Sequence, residues 1–126
     1  MARLEHVNVT VGDVDATAGL LVRLFGWHVR WQGPSIHGGR SVHVGTEDQY
    51  LALYSGAEGV SLGRMDTHGQ RGGLNHIGLV VDDLEAAERA VYAEGLTPTA
   101  HADYEPGRRF YFWSREGVEY EVVSYR

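Results

Sequence analysis

The chain has 126 residues, 43% hydrophobic and 22% charged, with 17 acidic against 11 basic side chains and a net charge of −6. That length suits one domain with a real core, and the acidic balance argues against nucleic acid or another polyanionic partner. No apolar run approaches the roughly 20 residues of a membrane span, and the absence of cysteine removes disulfides, thiolate metal sites and cysteine nucleophiles.

In chain order, Met1 to Glu5 lacks the regions of a signal peptide, which points to the cytoplasm. Leu4 to Val11 alternates, with Val7, Val9 and Val11 on one face, and predicts a strand. Asp13-Val14-Asp15-Ala16 then supplies an acidic helix start, Leu20, Leu21 and Leu24 supply its apolar stripe, and Gly26 its stop. Three strands are expected next, at Trp27–Gln32, Ser41–Gly45 and Tyr50–Tyr54, divided by Gly-rich and acidic turns. Ser55 to Gly73 is rich in glycine and polar residues and reads as a loop or linker.

The pattern then recurs. Leu74 to Val81 repeats the alternation, with Ile77, Leu79 and Val81 apolar, and His76 stands 70 residues after His6. Asp83-Leu84-Glu85-Ala86 starts a second helix bearing Leu84, Ala87 and Val91, and Gly95 ends it 69 residues after Gly26. Strands at Thr97–Tyr104, Arg109–Ser114 and Val118–Ser124 follow, separated by Pro106-Gly107 and Glu116-Gly117. Agreement across strand, cap, helix stop and later strands marks an internal repeat. The expected fold is α+β: two βαβββ modules, at about 3–56 and 73–126 with a linker at about 57–72, forming a curved mixed sheet around a cup-shaped site.

Strand alternation puts His6 and His76 on the face opposite the valines and isoleucine that meet the helices. Tyr50-Leu51-Ala52-Leu53-Tyr54 aligns with Glu119-Tyr120-Glu121-Val122-Val123 at the same 69-residue step, pairing Ala52 with Glu121. A carboxylate inside a Tyr- and Val-rich strand is costly to bury unless paired or ligating. Two imidazoles and one carboxylate form a facial triad suited to Fe(II), Mn(II) or a similar divalent ion, so His6, His76 and Glu121 are the candidate metal ligands. The same residues also fit a structural reading, with hydrogen-bonded strand histidines and Glu121 on a wet sheet face beside Glu119.

Among the other histidines, His28, His37, His68 and His101 suit solvated or hydrogen-bonded roles, whereas His43 lies in a strand and either lines the cup or packs at its edge. His43, Tyr50 and Tyr54 are candidates for acid–base chemistry. In Phe110-Tyr111-Phe112-Trp113 alternate residues face opposite ways; Tyr111 and Trp113, with Ala52, are candidates for contact with an apolar or aromatic ligand. No nucleophile-elbow, phosphate-loop or dinucleotide motif is present.

Over nearly its whole length the chain resembles the vicinal oxygen chelate superfamily of glyoxalase I, extradiol dioxygenases, and fosfomycin and bleomycin resistance proteins. His6, Leu24-Phe25-Gly26-Trp27, Asn75-His76-Ile77-Gly78-Leu79 and Gly117-Val118-Glu119-Tyr120-Glu121-Val122 carry the likeness in the family's order. Ser114-Arg115-Glu116-Gly117 stands where the family commonly has Asp-Pro-Asp-Gly. The resemblance implies paired modules, a divalent metal (Fe, Mn, Ni or Zn, Fe(II) first) and a homodimer. Glyoxalase I-like members carry Glu or Gln where this chain has Ala52, so their proton-moving glutamate is missing. The implied function is a metal-dependent enzyme acting on a small substrate with adjacent oxygens, dioxygenase-like or lyase/isomerase-like. The alternative is a non-catalytic, bleomycin-resistance-like protein that binds a drug or other small molecule.

Overall fold

A computed structural model describes residues 1–63, 65–104 and 107–126. Arg64 in the expected linker and Pro106 in the expected turn lie outside the described residues. The chain divides into two compact units, Met1–Leu62 and Gly63–Arg126, with the boundary inside the expected linker segment.

The first unit runs β1 (His6–Thr10), α1 (Val14–Phe25), β2 (His28–Pro34), β3 (Arg40–Gly45) and β4 (Tyr50–Ser55). Its strands form one sheet in the order β1-β4-β3-β2; β1 pairs parallel with β4 and the other pairs are antiparallel. Asp13 caps α1 by accepting the Ala16 amide at 2.9 Å. Gly26 ends it at φ +69°, a left-handed conformation that favours glycine. The helix lies across β3 and β4, so alternate strand residues Val9, Val42, Val44, Leu51 and Leu53 are buried with Leu21. Each such side chain, fully buried, stabilises the unit by about 1.5–3 kcal/mol.

The second unit repeats the order with β5 (Ile77–Val80), α2 (Leu84–Ala93), β6 (Thr99–Tyr104), β7 (Gly107–Trp113) and β8 (Glu119–Ser124). Its sheet runs β5-β8-β7-β6, again with only the β5–β8 pair parallel. Asp83 caps α2 through the Ala86 amide at 3.0 Å. The core here is more aromatic: Phe110, Phe112, Tyr120 and Val122 are buried with Val91, and Phe112 stacks on Tyr120 at 5.1 Å. The expected α+β class and two βαβββ modules are present, each module with its own four-stranded mixed sheet.

Boundaries differ from the sequence pattern in instructive places. Alternation begins at Leu4, yet β1 begins at His6, because its parallel partner β4 begins at Tyr50 and the register sets His6 opposite Tyr50. Leu4 is left exposed. Thr97 and Leu96 precede β6, which starts only at Thr99 and is interrupted between Thr99 and Ala102, where Ala100 takes φ +50°. No helix among the described residues is long and apolar enough to cross a membrane.

Candidate functional site

In each unit the helix covers one sheet face, and the sequence alternation sends the polar residues and a share of the aromatic ones to the other. On that face of the first unit, Asn8 and His43 flank Ala52 in register, and His6 lies opposite Tyr50. Their rings form a ladder. His6 stacks on Tyr50 at 5.0 Å, Tyr50 on His43 at 4.7 Å, and His43 meets the exposed Trp31 at 5.0 Å. The Arg30 guanidinium lies 4.3 Å from the Tyr50 ring centre, a cation–π contact. Tyr54 shares the face one step along, opposite Thr10 and Ser41, while Ala52 is almost wholly buried.

Glu5 ties this ladder together. Its Oε1 accepts the Tyr50 hydroxyl at 3.2 Å and lies 2.9 Å from His6 Nδ1. The His6 ring, then the Tyr50 hydroxyl, hold the Glu5 carboxyl below the usual carboxylate range. Burial, then the bond to Glu5, pushes the Tyr50 hydroxyl up, so it remains a proton donor near neutral pH. Burial holds His43 below the ordinary histidine value, with His6 and Arg30 adding to the shift, which favours a neutral imidazole.

In the second unit Glu121 is the centre. Register sets it between Gly78 on β5 and Tyr111 on β7. Its Oε2 accepts the Tyr111 hydroxyl in a short hydrogen bond, and its Oε1 accepts Arg109 Nη1 at 3.4 Å. His76 Nε2 lies 3.6 Å from Oε2, with the Tyr111 ring edge-on to the imidazole at 5.5 Å. Side-chain exposure is 14% for Glu121, 10% for Arg109 and 34% for His76, so the carboxylate is enclosed and the imidazole reaches solvent. Gly78 adds to that opening: a side chain there would begin 3.9 Å from Glu121 Oε1.

Donor chemistry can be tested on this pair. A first-row divalent ion bonds imidazole nitrogen and carboxylate oxygen at about 2.0–2.2 Å, which sets adjacent donors about 3 Å apart. The 3.6 Å separation is within a small ring rotation of that spacing. A carboxylate has about four lone-pair sites, so Tyr111 and Arg109 leave capacity on Glu121 for a further ligand bond. His76 and Glu121 therefore fit a divalent ion. Among the described residues no group of three or more His, Asp or Glu converges in a metal-holding arrangement.

Tyr111 and Trp113 lie on the Glu121 face, as alternate residues of β7, and Phe110 and Phe112 in the core. Four residues around these two faces had no named partner in the sequence reading. Arg109 was a strand residue without a role, yet it is nearly buried and bonds both Glu121 and the Gly107 carbonyl. His68, from the glycine-rich loop, places Nε2 2.9 Å from Glu119 Oε1 and its ring 5.7 Å from Trp113. Glu5 and Asn75 contact the two histidines that follow them. The only available signal was their adjacency to His6 and His76. His28 and His101 do pair with surface acids, Glu47 at 3.1 Å and Glu88 in a short contact.

The family model described as Glyoxalase/Bleomycin resistance protein/Dioxygenase superfamily matches residues 3–122. No curated protein matches the chain. Similar solved structures include a glyoxylase/bleomycin resistance protein/dioxygenase domain from Frankia sp. EAN1pec, at TM-score 0.83 and 19% identity, covering 100% of this chain and 99% of that one. TnmS3, an antibiotic binding protein from Streptomyces sp. CB03234, matches at TM-score 0.74 and 21% identity over 98% and 96% of the two chains. A variant of the fosfomycin resistance protein FosX from Listeria monocytogenes, complexed with Mn(II) and 1S,2S-dihydroxypropylphosphonic acid, matches at TM-score 0.75 and 16% identity over 98% and 92%. At these identities the structures speak for the fold.

Proposed function

Because the chain belongs to the Glyoxalase/Bleomycin resistance protein/Dioxygenase superfamily, we propose that it is a metal-dependent enzyme acting on a small substrate with adjacent oxygens. The observation that carries this reading is the approach of His76 Nε2 to Glu121 Oε2 on an open sheet face. In this reading His76 and Glu121 hold the ion and His6, at the equivalent start of β1, is the third ligand. The ion is Fe(II) first, with Mn, Ni or Zn as the other candidates. When bound, it supplies a Lewis acid that polarises the substrate oxygens.

The chain's own residues have separable tasks. Tyr111 and Arg109 hold the Glu121 carboxylate in one orientation, so little freedom is lost when it ligates. Tyr111 and Trp113 offer a wall for the substrate body. His43, kept neutral by burial, is the candidate proton acceptor, and Tyr50 and Tyr54 are candidate donors. With Ala52 in place of a fourth ligand, an oxidation of the dioxygenase type ranks ahead of a lyase or isomerase reaction. The test is Fe(II) reconstitution without oxygen, followed by oxygen-uptake screening with catechols and enediols. Uptake in the parent and its loss in Glu121→Ala support the reading; equal uptake in both overturns it.

A second reading has an observation of its own. The Trp31–His43–Tyr50–His6 ladder presents aromatic faces and edges on an accessible sheet, a surface suited to a planar ligand. The fold shared with an antibiotic binding protein is consistent with such a role. Quenching of tryptophan fluorescence by planar drugs, unaffected by chelator and lost in Trp31→Ala, would favour sequestration over catalysis.

A further inference from the structure

The two repeat-related histidines share a contact that the ligand reading does not use. His6 Nδ1 lies 2.9 Å from Glu5 Oε1, and His76 Nδ1 lies 2.7 Å from Asn75 Oδ1. In both units the partner is the residue immediately before the histidine. A carboxylate oxygen and an amide oxygen only accept, so each Nδ1 must be the donor. A neutral imidazole carries one N–H, which leaves Nε2 as the lone-pair nitrogen in both rings. For His76 that lone pair faces Glu121 Oε2 at 3.6 Å. Two acceptors in that position repel one another unless a proton or a metal cation lies between them.

We propose that Glu5 and Asn75 are positioning residues that lock His6 and His76, each within its own unit, in the Nδ1-protonated tautomer and so leave each Nε2 as a ready donor to a cation. This rests on the reading of His6 and His76 as ligands. A fixed second contact orients the ring and makes the opposite nitrogen a better base. The two partners are not equivalent. Glu5 is charged and is itself held by the Tyr50 hydroxyl at 3.2 Å, so it enriches the His6 ring more strongly than the neutral Asn75 enriches His76.

The test uses the metal-free full chain with ring-15N histidine, and long-range 1H–15N correlation spectra recorded above the pH range where histidine titrates. His6 and His76 are expected to show protonated Nδ1 and lone-pair Nε2. Asn75→Leu should move only His76 towards the Nε2-protonated form, and Glu5→Leu only His6. Asn75→Asp and Glu5→Gln, which keep an acceptor oxygen, should retain the parent pattern. Unchanged signals from His28 and His101 report that the fold is intact. Mn(II) titration of the same samples should show affinity about 10–100-fold lower in each leucine variant. Nε2-protonated rings in the parent, or leucine variants with the parent pattern, overturn the proposal even if Mn(II) binds. Nδ1-protonated rings that respond as expected, in a parent that binds no metal, uphold the tautomer lock and overturn the metal reading alone.

Discussion

His76 Nε2 and Glu121 Oε2 stand 3.6 Å apart although one precedes β5 and the other lies inside β8. The parallel register that sets Gly78 opposite Glu121 brings them together, with no side chain on Gly78 to intervene. The same carboxylate accepts from Arg109 and Tyr111, so its surroundings can be probed one partner at a time.

Arg109→Met removes the guanidinium from a pair whose side chains are 10% and 14% exposed. Leaving Glu121 enclosed without its counter-charge should lower stability by about 2–3 kcal/mol in urea unfolding. The Arg109→Met, Glu121→Met double variant should recover most of that loss, since residues in contact do not behave additively. A double variant as unstable as the sum of the singles would mean that the pair is not coupled.

Tyr111→Phe keeps the ring against His76 and removes only the hydroxyl donated to Glu121. Loss of one hydrogen bond to a charged group should cost about 1.5–3 kcal/mol. Mn(II) affinity, read by titration, should fall by about tenfold because Glu121 is no longer fixed.

Asp13→Ala and Asp83→Ala each remove a helix cap that accepts an amide three residues on. Each should destabilise by about 1 kcal/mol in urea melts, with Asn at either position nearly neutral. A loss well below that in one unit would mean its helix is held by packing alone.

Burial pushes the Tyr120 hydroxyl well above its ordinary value. The folded chain therefore keeps this proton at a pH where an unfolded tyrosine, at about 10, gives it up. The unfolded state then binds fewer protons, so the contribution present below pH 10 is lost as pH rises beyond it, by up to about 1.4 kcal/mol per pH unit. Tyr120→Phe should flatten the alkaline limb of the stability curve measured by urea unfolding at pH 9–11.

Much of this architecture was legible in the chain. The 70-residue step from His6 to His76 and the two Asp-capped helices located both modules, because strand alternation and capping are local signals. The Ala52–Glu121 equivalence holds in the registers: Ala52 faces Asn8 and His43, and Glu121 faces Gly78 and Tyr111. Side-chain partners across strands were not legible. Nothing local in Arg109-Phe110-Tyr111 says that its first and third residues converge on Glu121; that follows from β7–β8 register. Nor does the loop around His68 disclose that it folds back on Glu119 and Trp113.

The most direct test is the metal content of the parent chain after reconstitution and desalting, beside His6→Ala, His76→Ala and Glu121→Ala. About one equivalent of metal is expected in the parent and a several-fold lower content in each variant, as for a site built on three protein ligands. Equal metal in parent and variants, or none in the parent, would contradict it.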